Sequence, residues 1–103
     1  MSDTASWLSY TFTVYPHVGT TWNNVAGIYI FVGINRQNQW EPYYVGQCDS
    51  FQNRMPSHER WDEAQALGAR HVHALAVSKQ EERDAVEKAL IRAYQPPLNT
   101  LLR

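Results

Sequence analysis

The chain of 103 residues suits one domain, and its 44% hydrophobic and 13% aromatic content is enough for a single modest core. Nine Lys and Arg against ten Asp and Glu leave a net charge of −1, which excludes a global basic field for nucleic acid and makes any phosphate contact local. A single cysteine, Cys48, excludes an internal disulfide framework and fits a reducing cytoplasm, while the lack of any apolar run near ~20 residues and of a basic signal-peptide start leads us to expect a soluble, unexported protein.

Asp3 is the only Asp, Glu, Lys or Arg before Arg36, so the first third is no basic arm. Within it Leu8, Tyr10, Phe12 and Val14 alternate with Ser9, Thr11 and Thr13, the period of a half-buried strand. This is an extra N-terminal strand in a 1–24 extension, and its exposed, alternating pattern makes it a candidate homodimer surface through edge pairing. "PHVGTTWNN" is loop chemistry, with Pro, Gly and paired Asn. A second strand runs from about Ala26 to Ile34, "NRQNQ" turns the chain, and Trp40 to Gly46 returns as the other arm of a hairpin. Pro42 marks an edge or a bulge on that arm, because proline has no N–H to give to a ladder.

Asp49 or Ser50 can cap a short helix starting near Phe51, which Pro56 interrupts before a second helical segment that Gly68 ends. Arg70 to Val77, "RHVHALAV", is apolar enough for the interior of a sheet. Ser78 and Glu81 then read as a capping box opening a helix to about Tyr94, and "QPP" stops it. The order strand, strand, strand, helix, helix, strand, helix predicts an α+β domain: a small central antiparallel sheet flanked by helices.

At ~100° per residue, Val86, Ala89, Leu90, Ala93 and Tyr94 of the last helix form one apolar stripe, with Lys88 and Arg92 turned to solvent. Glu87 falls at the margin of that stripe. A carboxylate there is costly unless it reaches water, pairs with a cation or binds a metal.

Gly27-Ile28-Tyr29, then Tyr44-Val45-Gly46, then Arg54 with His58 four residues on, Glu87 in "VEKALIRAY", and "PPLN" ending in Asn99 follow one another in an order that resembles the GIY-YIG nuclease superfamily. The resemblance covers about residues 25–99 of a single 1–103 domain. It implies a metal-dependent DNA endonuclease that hydrolyses phosphodiester bonds to leave 5′-phosphate and 3′-hydroxyl ends. Under it Tyr29 stands beside the attacking water, Tyr44 helps hold that network or the scissile phosphate, and Arg54 sits against the phosphate. Glu87 holds one Mg²⁺ (or Mn²⁺), and Asn99 braces the site, as do Gly27 and Gly46 structurally. A phenol of pKa ~10 is a poor base at neutral pH, and the metal with His58 is the help it would receive.

Two departures stand out. Val45 replaces the middle isoleucine of the second tripeptide, a conservative apolar change. Pro56 disfavours helical geometry at Met55, so Arg54 and His58 need not stack as a regular helical pair. A bare catalytic domain of this kind suits a phage or another mobile element, with a dimer or a separate DNA-specificity partner supplying affinity. The alternative is a catalytically silent nucleic-acid-binding or regulatory module on the same fold. Other residues carry less: His71 and His73 share a strand face and with Cys48 suggest a zinc site that lacks further ligands. The four tryptophans belong to the core before they belong to bases. Arg60, Arg70, Lys79, Arg83, Lys88 and Arg92, interleaved with acids, read as solvated surface.

Overall fold

A computed structural model describes residues 3–100. Its strands are β1 Thr4–Trp7, β2 Tyr10–Pro16, β3 Gly27–Ile34, β4 Trp40–Cys48 and β5 His71–Ala76, joined into one antiparallel sheet in the order β1-β2-β5-β3-β4. The helices are α1 Phe51–Arg54, a 3-10 turn Met55–Ser57, α2 Trp61–Leu67, α3 Gln80–Tyr94 and the short α4 Pro97–Thr100. The fold is α+β, as the element order implies. Among the described residues no helix is long and apolar enough to cross a membrane.

Strand β3 lies between β5 and β4, and seven of its eight residues are buried. Both of its faces are covered, which is why it shows no polar alternation. One face sends Tyr29 and Phe31 into a cluster with Cys48, Val72, Ala74, Phe51, Met55, Trp61 and Leu98. The other sends Ile28, Ile30 and Val32 against Phe12, Val45, Trp7 and the Val86–Leu90 stripe of α3. The hairpin register shifts between Phe31 and Val32, where Phe31 faces Tyr44 and Val32 faces Pro42, so Tyr43 is the extra residue of a bulge. Pro42 therefore sits both at a bulge and on the sheet's outer strand.

The N-terminal segment is a hairpin and not one strand. Trp7 pairs with Tyr10 across a two-residue loop whose first residue, Leu8, has φ 57°. Such loops need a left-handed residue and commonly use glycine, so Leu8 gave no turn signal. Its backbone N–H donates to the Tyr94 hydroxyl at 2.8 Å. Strand β2 lies between β1 and β5, pairing with β1 through Tyr10–Thr13 and with β5 through Thr13–Pro16. The alternating segment is therefore an inner strand of the sheet and not the outermost one.

The first turn of α1 is capped as expected and that of α3 is not. Ser50 caps α1, its hydroxyl accepting from the Asn53 N–H at 3.3 Å. The Ser78–Glu81 capping box does not form: α3 begins one residue later, with Lys79 at the cap and no side chain bonded there. Arg83 ties down this corner instead, donating to the Val77 and Ser78 carbonyls at 3.0 and 2.8 Å. It is therefore a buried residue and not part of the solvated surface. At the other end of α3, Ala93 is exposed and Tyr94 rests edge-on against Trp7, so the apolar stripe closes at Leu90 and Ile91.

Candidate active site

Tyr29 reaches the site from β3 and Tyr44 from β4, with their ring centroids 6.3 Å apart. His58 follows the 3-10 turn in an extended conformation, φ −110° and ψ 122°. Met55 stays helical despite Pro56, and the chain tightens there before it leaves the helix, so Arg54 and His58 are not a regular helical pair. This break aims the imidazole back at the sheet. His58 Nε2 lies 2.6 Å from the Tyr29 hydroxyl, and its ring packs edge-on against Tyr29, Phe31 and Tyr44 at 5.3, 4.8 and 5.4 Å.

The glycines of the two tripeptides have steric reasons. A Cβ on Gly46 would stand 2.5 Å from Tyr29 Cζ and closer still to the phenol oxygen, so a side chain there would displace the phenol. A Cβ on Gly27 would meet the Phe51 ring at 2.6 Å and the Leu75 carbonyl oxygen. Real carbon contacts lie near 3.5–4.0 Å. Sheet geometry thus couples each tripeptide to the other: the glycine of β4 makes room for the tyrosine of β3.

Burial pushes the Tyr29 phenol above its usual range, with Tyr44 adding to the rise, and the Arg54 guanidinium pulls it back. The same burial raises Tyr44, helped by the Glu87 carboxylate and opposed by Arg54 and Arg60. Arg54 is thus near both phenols. Its guanidinium is gripped by Glu59 through two parallel contacts of 2.8 Å each. A cleft of about 430 Å³ opens beside His58, lined among others by His17, Pro56, Glu59 and Asp62. His17 lies flat on Trp61 with centroids 3.6 Å apart and 7° between planes, so the N-terminal segment contributes a wall to this cleft.

Tyr29, Tyr44, Arg54 and His58 gather on one face of the sheet. Glu87 does not join them directly, since α3 packs Val86 and Leu90 on the opposite face. It stands at the outer margin of β4, where Gln47 Nε2 donates to Glu87 Oε1 at 2.9 Å and to Asp84 Oδ1 at 2.8 Å. Gln80 holds Gln47 in turn, donating to its Oε1 at 2.7 Å. Asn99 fastens the same edge: its Oδ1 accepts from the Val45 N–H and its Nδ2 donates to the Val45 carbonyl, both at 2.8 Å. A side-chain amide here completes a strand edge as a backbone amide would.

Sequence reasoning missed Phe31, Gln47, Glu59 and His17. Phe31 carried a usable signal, since it lies two residues beyond Tyr29 on the same strand face. The zinc reading fails on geometry, because Cys48 belongs to the Tyr29 face while His73 lies on the other, bonded by Trp7 Nε1–H at 2.8 Å. Among the described residues no three His, Cys, Asp or Glu side chains converge into a metal-holding group.

No protein-family model matches the sequence, and no curated protein matches it. The fold does match solved structures of the GIY-YIG N-terminal endonuclease domain of UvrC from Thermotoga maritima, each a point mutant bound to a catalytic divalent cation. An asparagine-to-alanine mutant aligns with a TM-score of 0.59 at 23% identity, and two tyrosine-to-phenylalanine mutants with 0.57 at 25% and 23%. Each alignment covers 74% of this chain and 83% of the other. The chain has the GIY-YIG fold.

Proposed function

We propose that the chain is a divalent-metal-dependent DNA endonuclease that hydrolyses phosphodiester bonds to leave 5′-phosphate and 3′-hydroxyl ends. The observation that carries this reading is the buried 2.6 Å contact between Tyr29 and His58, with Arg54 beside it, in a fold shared with endonuclease domains bound to a catalytic divalent cation. Tyr29 faces the attacking water and Tyr44 holds the neighbouring phosphate oxygen. Arg54 is permanently charged and can give two parallel bonds to phosphoryl oxygens as negative charge grows in the transition state.

Glu87 suits a hard divalent cation. Gln47 engages its Oε1 and fixes the carboxylate's orientation, and such an ion needs only one or two carboxylates beside waters and substrate oxygens. Mg²⁺ or Mn²⁺ fits this donor set. When bound, the cation supplies positive charge against the phosphate and lowers the pKa of a water. Glu87 would hold it at the margin of β4, Asn99 keeps that margin straight, and the site as a whole straddles the strand.

One feature favours a silent binding module: Glu87 is tied to Gln47 and acts on the other four residues through its charge on Tyr44. A plasmid-nicking assay separates the two readings. Cleavage with Mg²⁺ or Mn²⁺ that EDTA stops supports the nuclease. DNA binding without cleavage under either metal supports the module.

The Glu59 fork occupies the edge of Arg54 that the phosphate would take. Glu59 is exposed, so water and salt screen this pair and the phosphate can displace it. Glu59→Gln should therefore tighten DNA binding by at most about fivefold, read as a lower KM with kcat little changed. A weaker-binding Glu59→Gln protein would show that Glu59 orients Arg54 and does not compete for it.

A further inference from the structure

We infer that His58 serves Tyr29 as a neutral hydrogen-bond donor through Nε2, not as the base that removes the phenolic proton. The catalytic use of this contact rests on the nuclease reading; the direction of the hydrogen bond does not. The backbone N–H of Arg60 points at His58 Nδ1 from 3.0 Å. A backbone amide can only donate, so Nδ1 carries a bare lone pair. A neutral imidazole has one proton, which must then be on Nε2. Nε2 is the atom 2.6 Å from the Tyr29 hydroxyl, so the phenol oxygen is the acceptor.

A tight turn makes this assignment local. The Trp61 N–H closes residues 58–61 onto the His58 carbonyl at 3.1 Å, and that closure aims the Arg60 amide at the ring two residues back. A charged ring would need a second proton on Nδ1, where it would meet the amide hydrogen. Burial, with Arg54 and Arg60 adding their positive charges against Glu59, holds the ring near pKa 4 and so neutral at physiological pH. Both nitrogens are committed, and the ring has no lone pair left for the proton of Tyr29.

The groups that face the phenol are Tyr44 and Cys48 from β4, Arg54 from α1, and His58. Tyr44 and Cys48 oppose its ionisation, whereas Arg54 favours it. An N–H aimed at the oxygen also favours the phenolate, since it bonds the charged form better than the neutral one. The phenol's own hydrogen points away from the imidazole. The phenol first releases its own proton to solvent water on the side turned from His58; the phenolate then takes a proton from an attacking water on that same side, and His58 keeps its single proton throughout.

The test begins with the intact wild-type protein, its histidines labelled with ¹⁵N, at pH 7. The expected His58 spectrum shows a bare Nδ1 and a protonated Nε2. A proton on Nδ1, or a charged ring, overturns the inference whether or not the protein cuts DNA. Two variants then test the function. In His58→Gln the amide nitrogen can take the place of Nε2 and donate, but it cannot act as a base. In His58→Leu neither role survives. Nicking by His58→Gln within about tenfold of wild type, with kcat of His58→Leu down about 100-fold at unchanged KM, supports the donor role. A glutamine variant as inactive as the leucine variant overturns it. If the wild type cuts nothing under Mg²⁺ or Mn²⁺, the nuclease reading fails, and the ¹⁵N spectrum still decides the direction of the bond.

Discussion

Glu87→Gln is expected to lower DNA cleavage by about 100-fold or more, corresponding to about 3 kcal/mol in the barrier, with the fold intact. Glutamine keeps the size of the side chain and an oxygen to accept from Gln47 Nε2, so the link between α3 and β4 survives. What it removes is the negative charge that a hard cation requires. DNA binding should hold or improve, because one carboxylate fewer repels the phosphate. Arg54→Ala should also stop turnover, but with affinity for Mn²⁺ unchanged, since it removes charge stabilisation and leaves the cation's carboxylate in place. Manganese titration in the absence of DNA distinguishes the two variants. A Glu87→Gln protein that cuts at the wild-type rate would reduce Glu87 to a structural partner of Gln47 and sink the site as drawn.

The parts of the fold that the sequence made legible are those with local causes. Pro42 signalled an outer or bulged strand, Ser50 a cap, Gly68 a helix end and "QPP" a stop, and each of these features stands at its residue. The order of the tripeptides, Arg54 and His58 likewise pointed to the GIY-YIG fold. What stayed hidden depends on contacts distant in sequence. Leu8 turns a hairpin with no glycine to announce it, and its N–H is met by Tyr94, 86 residues away. Glu87 looked like an isolated carboxylate because its partner, Gln47, sits 40 residues earlier on another element. Glu59 carried no signal of its own, since one more acid among interleaved charges looks like surface until Arg54 is seen in its grip. Spacing located Arg54 and His58, but the break at Pro56 that separates their directions is a matter of three-dimensional geometry.

Acidification from pH 6.5 to about 4 is expected to remove up to about 6 kcal/mol of folding stability. Two buried imidazoles set this window. His58 and His73 are each lowered from 6.5 to about 4, in both cases chiefly by burial, with Arg54 next for His58 and His71 for His73. His73 Nδ1 accepts the Trp7 indole N–H at 2.8 Å, so a second proton there would break a buried hydrogen bond. Between these two pH values the unfolded chain binds protons that the folded one refuses. Unfolding therefore takes up protons, and stability falls as the pH falls, remaining full above 6.5 and levelling below 4. Each histidine contributes about 3 kcal/mol at most, and small domains have only about 5–15 in total. Urea unfolding at intervals from pH 7.5 to 4.5 should show a steadily falling midpoint. In His73→Asn the amide oxygen can still accept from Trp7 but cannot titrate, so stability at pH 7 should drop for lost packing while the dependence on pH is about halved. A midpoint that stays constant down to pH 4.5 would mean that both rings take their second proton in the fold as readily as in the unfolded chain. The Arg60 amide and the Trp7 indole could then no longer hold the hydrogen bonds that position them.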